Sequence, residues 1–262
     1  MLNTYEDFKD NFYRLSGIDL HSYKESQMKR RIDNFYTRRK FNGYDDFFMA
    51  LSKDDEMQKE FTGYLTINVS EFYRNPPQWQ TVEKDVYPAL IDRFGKHLKI
   101  WSAACSTGDE PYTLAMLLAE HVPLNQIDIL ATDLDKDILE KAQEGRYIEK
   151  SIAGLPKIYK DKYFVSDGDG FVRISDEIKK RITFKHHNLL KDPYPRGMHL
   201  IVCRNVMIYF TEEAKERIYQ NFSDAMVDKG IFFVGSTEQI IGPQKYGFKS
   251  AQSFFYEKTK ES

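Results

Sequence analysis

Several things are scarce in this chain of 262 residues, and each scarcity closes off a class of protein. Only two cysteines occur, Cys105 and Cys203, far apart and each inside an apolar, strand-like segment. That excludes a disulfide framework or a cysteine metal site and reads as buried thiols of a reducing compartment. No apolar run approaches the ~18 residues that a membrane span needs. The opening MLNTYEDFKD is acidic and polar, without the basic start and apolar run of a secretion signal. Net charge is only −2, which argues against a protein living mainly on nucleic acid or an anionic membrane. Internal repeats and low-complexity stretches are missing too. What is plentiful is apolar and aromatic matter, 41% and 15%, enough to bury a large core. These bounds leave a cytoplasmic globular protein without membrane insertion, long enough for one large α/β domain or a small domain joined to a medium one.

The texture changes along the chain. Residues 1 to about 70 hold almost no strand signal. Phe8, Phe12 and Leu15 recur at helical spacing, as do Met28, Ile32 and Phe35, then Phe47, Phe48 and Leu51, which predicts a small helical bundle. Pro76-Pro77 punctuates its end, since neither proline continues a preceding helix. From residue 78 helices alternate with apolar strands: a helix over about 78–95, LKIWSA (98–103), a helix from Pro111 to His121, IDILAT (127–132) and a helix from about Lys136 to Glu144. ITFKHHN (182–188), HLIVCRN (199–205), a helix from Thr211 to Asp228 and GIFFVGS (230–236) follow. Continuous apolar strands between helices predict a parallel sheet covered on both faces. The tail YGFKSAQSFFYEK alternates like an antiparallel closing hairpin, and an insertion over about 147–180 carries a hairpin turn at Ser166 to Gly170.

In such a sheet, ligands bind beyond the carboxyl ends of the strands where strand order reverses. Three segments lie at such ends. Ala103 to Pro111 is a small-residue loop entering a helix, open to close ligand approach and to a carboxylate at the helix amides, or else an ordinary strand-to-helix turn. It is not G-x-G-x-x-G, so dinucleotide binding gains no support. Asp133 closes the strand ILATD and is placed to accept from ribose hydroxyls; its competing role, a helix cap, is open to Asp135 as well. Cys203 to Phe210 follows a later strand. Val206, Met207 and Ile208 there read as core packing, whereas Arg204, Asn205 and Tyr209 carry polar groups that packing does not require. Asn75-Pro76-Pro77-Gln78 looks like the Asn-Pro-Pro-aromatic motif of amino-group methyltransferases but precedes the first strand and lacks the aromatic, so it is set aside.

Read together, these segments resemble the chemotaxis-receptor glutamate methyltransferases, the CheR family. The matching stretches are TINVSEFYRNP (66–76), IWSAACSTGDEPYTLAM (100–116), ATDLD (131–135), NLL (188–190) and CRNVMIYF (203–210). The resemblance implies an α/β class I methyltransferase: a Rossmann-like, mostly parallel sheet at 71–262, an N-terminal all-α domain at 1–70 and a small inserted β-subdomain. It implies S-adenosyl-L-methionine as cofactor and S-adenosyl-L-homocysteine as product. Carried over position by position, it gives cofactor contacts at Asn68, Ser70 and Arg74, with Ser70 standing where the family commonly has threonine. Glu110 is expected to hold the methionine ammonium, Asp133 the ribose, and Asn188 and Leu189 to lie by the adenine, while Arg204 and Asn205 complete the pocket floor. In sulfonium-using methyltransferases the corner at 203–210 faces the transferring methyl group. The loop from Val165 to Phe171 is short, whereas members that tether to a receptor's C-terminal pentapeptide have a longer one. Tethering is therefore not expected, and a monomer without nucleic acid or metal is.

A glutamate acceptor has an ordinary pKa of about 4.3 and is ionised at neutral pH, so it needs no general base. The scattered histidines, His186-His187 among them, are read as structural. Transfer neutralises charge, and a water-poor pocket favours that; Phe72, Tyr73, Tyr209 and Phe210 are candidate walls, with core packing the alternative for the two phenylalanines. Tyr209, nearest the nucleophile, and Arg74 are the candidate catalytic, orienting residues. Segment 22–43 bears seven basic side chains against two acidic ones. Lys24, Arg31 and Arg38 recur every seven residues, one helix face, either a solvated surface or a docking face for an acidic receptor helix. Two rivals stand beside this reading: a methyltransferase of RNA or small molecules, and a non-catalytic adaptor that keeps the fold.

Overall fold

The structure, a computed structural model, describes residues 4–66 and 70–259. The chain divides into two compact units, Met1–Ile67 with Val206–Ile218, and Asn68–Asn205 with Tyr219–Ser262.

In the first unit, α1 (Tyr5–Ser16), α2 (Glu25–Arg38), α3 (Tyr44–Leu51) and α4 (Asp55–Leu65) follow one another. Thr4 and Asp7 form a reciprocal capping box at the start of α1, and Gly17, at φ 74°, ends it. The apolar spacing does what it predicts. Phe8, Phe12, Met28, Ile32, Phe35, Phe47 and Phe61 are all buried, and Phe47 meets Phe61 edge-on at 4.9 Å. Segment 206–218 belongs here. Lys24 N donates to the carbonyl of Tyr209 at 2.8 Å, Thr211 N to that of Ser22 at 3.0 Å, and the rings of Tyr23 and Phe210 lie 4.9 Å apart.

The second unit opens with one continuous helical rod: α5 (Pro76–Thr81), a π-helical turn (Val82–Val86) and α6 (Tyr87–Phe94). Then come β1 (Lys99–Ser102), α7 (Asp109–Leu118), β2 (Asp128–Asp133) and α8 (Lys136–Glu144). The insertion supplies β3 (Arg146–Ile148), α9 (Lys157–Tyr163), β4 (Phe164–Ser166), β5 (Phe171–Ile174) and α10 (Asp176–Lys179). Along the rest of the chain lie β6 (Ile182–His186), β7 (Met198–Cys203), α11 (Glu212–Ala225), β8 (Met226–Val234), β9 (Phe248–Gln252) and β10 (Phe255–Lys258). The large sheet has seven strands in the order β6-β2-β1-β7-β8-β10-β9. Its first five are parallel, and the tail hairpin closes it antiparallel, β10 on β8 and β9 on β10. β3, β5 and β4 make a separate antiparallel sheet. This is the α/β fold with a mostly parallel sheet that the sequence leads one to expect.

Boundaries differ at α7, which spans Asp109–Leu118 in place of Pro111 to His121, and at α11. The helix expected to reach Asp228 ends at Ala225, and β8 begins directly at Met226. Lys258, on β10, stops it: its ammonium donates to the carbonyls of Ser223 and Met226 at 2.6 and 3.2 Å. Those carbonyls are satisfied from a distant strand, so no local stop signal is needed.

From β1 the chain builds outward to β2 and β6 on one side, then crosses to β7 and β8 on the other. Strand order reverses between β1 and β7, and the carboxyl ends of those neighbours are where a ligand crevice forms.

Candidate active site

The loop leaving β1 folds back over the end of β2. Cys105 N donates to the carbonyl of Thr132 at 2.9 Å, and Ser106, left-handed at φ 47°, points its N–H at Asp133 Oδ2, 2.8 Å away. Asp133 Oδ1 accepts from Asp135 N at 3.1 Å. The helix-cap role that competed for Asp133 falls to Asp135, whose carboxylate takes Asp137 N and Ile138 N at the start of α8. Asp133 is thus free of capping and held by two backbone amides at the mouth of the sheet. Gly108, at φ 90°, serves packing instead of ligand approach: a Cβ there would meet Tyr112 at 3.0 Å and the Tyr147 hydroxyl at 3.1 Å.

Glu110 stands in the first turn of α7. Its Oε1 accepts from Ser102 Oγ at 2.8 Å, and its Oε2 lies 3.6 Å from Arg204 Nη1. Arg204, one residue past β7, is buried. Its Nη2 donates to Gln78 Oε1 at 2.8 Å and to the carbonyl of Arg74 at 3.0 Å, and its guanidinium lies 4.9 and 4.8 Å from the rings of Trp79 and Phe233. Gln78 belongs to the Asn-Pro-Pro-Gln stretch that sequence reasoning set aside; the motif is indeed not used in that sense, yet its glutamine anchors the arginine.

The segment carrying Arg74 is strained. Tyr73 and Asn75 flank it at φ 59° and 62°, a region that bulky residues rarely enter. The Arg74 carbonyl is pinned from two sides, by Arg204 and by Trp79 Nε1 at 2.8 Å. Ser70 hydrogen-bonds the buried carboxyl of Asp109, which also accepts from Thr107 Oγ1 at 2.5 Å. On the other flank, His187 N donates to the Asp133 carbonyl at 2.9 Å and so ties residues 187–190 to the end of β2. Asn188 folds its Oδ1 onto Leu190 N at 2.9 Å, and Leu189, buried, accepts from the Tyr194 hydroxyl at 2.8 Å.

Sequence reasoning missed Glu238. Its Oε2 accepts from the N–H of Asn205 at 2.6 Å and of Gly235 at 2.9 Å. An acid three residues beyond the glycine that follows an apolar strand was the available signal.

Electrostatics sum these contacts. Burial pushes the carboxyl groups of Glu110, Asp133 and Asp109 above their ordinary values; Arg204 opposes the shift at Glu110, and the amides of Asp135 and Ser106 oppose it at Asp133. Burial also pushes the thiols of Cys105 and Cys203 well up, and the charges of Glu238, Glu110 and Asp133 all add to the effect at Cys203. Three carboxylates therefore surround the end of β7, with Arg204 among them. Such a site is short of positive charge.

Other expected residues lie elsewhere. Asn68 falls outside the described residues. Phe72 is core, edge-on to Tyr147 at 4.8 Å and Phe164 at 5.2 Å, and Phe210 packs against Tyr23 in the first unit; the rings beside Arg204 are those of Trp79 and Phe233. Tyr209 also belongs to the first unit. Of the docking candidates, Arg38 is exposed, Lys24 precedes α2, and Arg31 folds onto Tyr64, donating to its carbonyl and lying 4.6 Å from its ring.

The residues fit an adenosyl sulfonium. Ser106 Oγ, Gln78 Nε2 and Arg204 Nε are buried polar atoms without a partner among the described residues, and the surplus of buried carboxylate suits a ligand carrying an ammonium and a sulfonium.

Comparison with known proteins agrees. Residues 68–255 match the family model of the CheR methyltransferase SAM-binding domain, and residues 3–66 that of the CheR methyltransferase all-alpha domain. A chemotaxis protein methyltransferase of Listeria innocua is 44% identical over 93% of this chain and 92% of its own length. The Borreliella burgdorferi chemotaxis protein methyltransferase is 31% identical over 88% and 86%, and the second such protein of Vibrio cholerae 30% over 89% and 84%.

Proposed function

The chain belongs to the CheR methyltransferase family and is an S-adenosylmethionine-dependent methyltransferase acting in chemotaxis; we propose that its acceptors are glutamate γ-carboxylates of membrane chemotaxis receptors. The observation that carries the reading is the ring of buried carboxylates at the β1/β7 switch point, joined to relatives named for chemotaxis.

In this proposal Glu110 takes the ammonium of the methionine moiety, Asp133 the ribose hydroxyls, and Asn188 and Leu189 the adenine edge. Ser70, Arg74, Arg204 and Asn205 line the remainder, and Asn68, outside the described residues, is a cofactor contact on the strength of the resemblance alone. When bound, the cofactor supplies an electrophilic methyl group on a sulfonium. The protein's own tasks are holding, orienting and drying. A carboxylate acceptor arrives ionised, so no side chain has to remove a proton. Arg74, presented by its strained segment, and Tyr209, four residues beyond Asn205, orient the acceptor oxygen. Arg204 stays committed to Glu110, Gln78 and the Arg74 carbonyl, which keeps a strong cation from trapping the acceptor in its ground state.

The exposed basic side chains of α2, Arg38 among them, with Lys24 and Arg31 at its margin, form the docking face for an acidic receptor helix. The turn between β4 and β5 is closed tightly, Asp167 N to the Phe171 carbonyl at 2.9 Å, and this supports recognition without a pentapeptide tether. A monomeric enzyme working at receptors from the cytoplasm completes the proposal; separately, no helix among the described residues is long and apolar enough to cross a membrane.

The deciding experiment incubates the protein with methyl-labelled cofactor and receptor-containing membranes, or with bulk RNA. Label on receptor protein, released as methanol in alkali, is the expected result. Alkali-stable label, or label on RNA, defeats the glutamate assignment while leaving the methyltransferase intact.

A further inference from the structure

Among the buried acids at the strand ends, Glu238 has no cofactor or acceptor role assigned above; it meets the crevice only through the backbone of Asn205. It occupies the turn after β8, where its own N–H donates to the Gly235 carbonyl at 3.0 Å. The residue is 5% exposed, and its side chain reaches back to gather two backbone amides on one oxygen, Gly235 N and Asn205 N. β7 and β8 are parallel neighbours with Cys203 opposite Val234, so this single carboxylate staples their carboxyl ends together.

The amide it grips matters most. Asn205 is left-handed, at φ 61°, directly after Arg204. The peptide between the two residues helps decide where both side chains go: Arg204 runs toward Glu110 and Gln78, and Asn205 Nδ2 lies beside Gly235, where an added Cβ would meet it at 3.2 Å. Asparagine enters the left-handed region more readily than other side chains do, and a fixed partner for its N–H holds it there. A charge-assisted bond of 2.6 Å to that N–H is such a constraint. Gly235 completes the clamp by lacking a side chain: a Cβ there would stand 2.4 Å from Glu238 Oε2 and 3.0 Å from Asn205 N. Glycine is required by the space the clamp fills, not by a left-handed backbone.

We infer that Glu238 is a positioning residue for methyl transfer, acting through the Asn205 amide, with Gly235 as the cleared space that lets it do so. The inference rests on the cofactor reading of the crevice, and the two are separable by experiment. Wild-type protein is titrated calorimetrically with S-adenosylmethionine and, separately, with neutral S-adenosylhomocysteine; if neither binds, the cofactor reading itself fails. Glu238→Gln keeps the shape and an acceptor but loses the charge, and is expected to weaken both ligands alike and lower kcat by roughly 10-fold, with KM for receptor membranes unchanged. Gly235→Ala pushes the carboxylate off its amides and is expected to cost about 100-fold in kcat. The double variant should be no worse than Gly235→Ala alone, since both changes break one clamp. Circular-dichroism melts identify folded samples; if Gly235→Ala does not fold, Glu238→Gln decides alone. A merely structural role would lower the melting temperature and leave ligand affinity and kcat of the folded protein untouched, and that outcome overturns the inference. Selective loss of the cationic ligand with the neutral one unaffected also overturns it, because the charge would then act on the sulfonium directly.

Discussion

In the small sheet Asp167 lies between two arginines, 2.5 Å from Arg146 Nε and 3.1 Å from Arg173 Nη2; at the strand ends of the large sheet Glu110 lies 3.6 Å from Arg204. Both are carboxylates paired with arginine, two at Asp167 and one at Glu110, and the consequences are opposite. Hydrogen bonds from Arg146 and Arg173 hold the Asp167 carboxyl below its ordinary range, whereas burial pushes Glu110 above its own in spite of Arg204. Distance does not set the sign; solvation does. A half-buried cluster that water still reaches gains modest attraction and loses little hydration. A buried one gives up hydration that a single partner does not return, and so stands ready for a further cation.

The largest expected effects come from breaking the buried pair. Arg204→Met keeps an apolar stem between Trp79 and Phe233 but strands the Glu110 charge. Removing one partner of a buried pair costs about 3–5 kcal/mol in stability. For a protein of this size each kcal/mol corresponds to roughly 2–4 °C in melting temperature. Adding Glu110→Gln to Arg204→Met removes the orphaned charge, so much of the stability should return while cofactor binding does not. If binding returns with stability, the pair is a structural element only. Next in size is Asp133→Asn. It presents an NH2 group to one of two backbone donors, and losing a charge-assisted bond worth about 1.5–3 kcal/mol should weaken the cofactor roughly 10- to 150-fold by calorimetry. Unchanged affinity would remove Asp133 from the ribose.

A smaller effect sharpens the comparison through pH. Glu110, Asp133 and Asp109 titrate above their ordinary values when folded, so ionising them costs stability. Their contribution to folding is present in full below the unfolded carboxyl pKa and is lost as pH rises through the raised values. A cationic ligand prefers the ionised carboxylates. Its affinity should therefore fall as pH drops from neutral toward the ordinary carboxyl range, by at most about tenfold per pH unit per group, with proton release on binding. Calorimetry in buffers of different ionisation enthalpy reads that proton directly; uptake in place of release would contradict the electrostatics.

Sequence order explains why so much of this was legible. Parallel strands bury both faces and read as apolar runs, so β1, β2, β6 and β7 stood out, and with them the acids and polar residues at their ends. Asp133 and Glu110 are visible because they follow a strand or open a helix at a fixed place in such a fold. What stayed hidden depends on contacts between distant segments. Glu238 matters only because β7 and β8 end side by side, and Gln78 only because Arg204 reaches back across 126 positions to it. The early end of α11 is set by Lys258, a strand away in space but not in sequence. Phe72 could not be told from a pocket wall by spacing, since aromatic residues look alike until their neighbours are known.

The smallest effect should come from the half-buried, solvent-reached cluster around Asp167, and its smallness is the test. Arg146 and Arg173 meet Asp167 at the start of a turn in which Gly168, Asp169 and Gly170 are all left-handed, so the aspartate's task is local: to anchor the closing residues of one hairpin. Because its folded pKa is lowered, its contribution is present above the ordinary carboxyl pKa and lost only as pH falls through the lowered value, so nothing in its titration reaches neutral pH. Asp167→Asn should shift the melting temperature by no more than about 3 °C, and less at high salt, where exposed pairs are screened. Cofactor affinity and kcat should not move. A loss of cofactor affinity in this variant comparable to that of Asp133→Asn would mean that the inserted sheet and the crevice are coupled, and the contrast between a cluster that merely braces a turn and one that waits for a ligand would collapse.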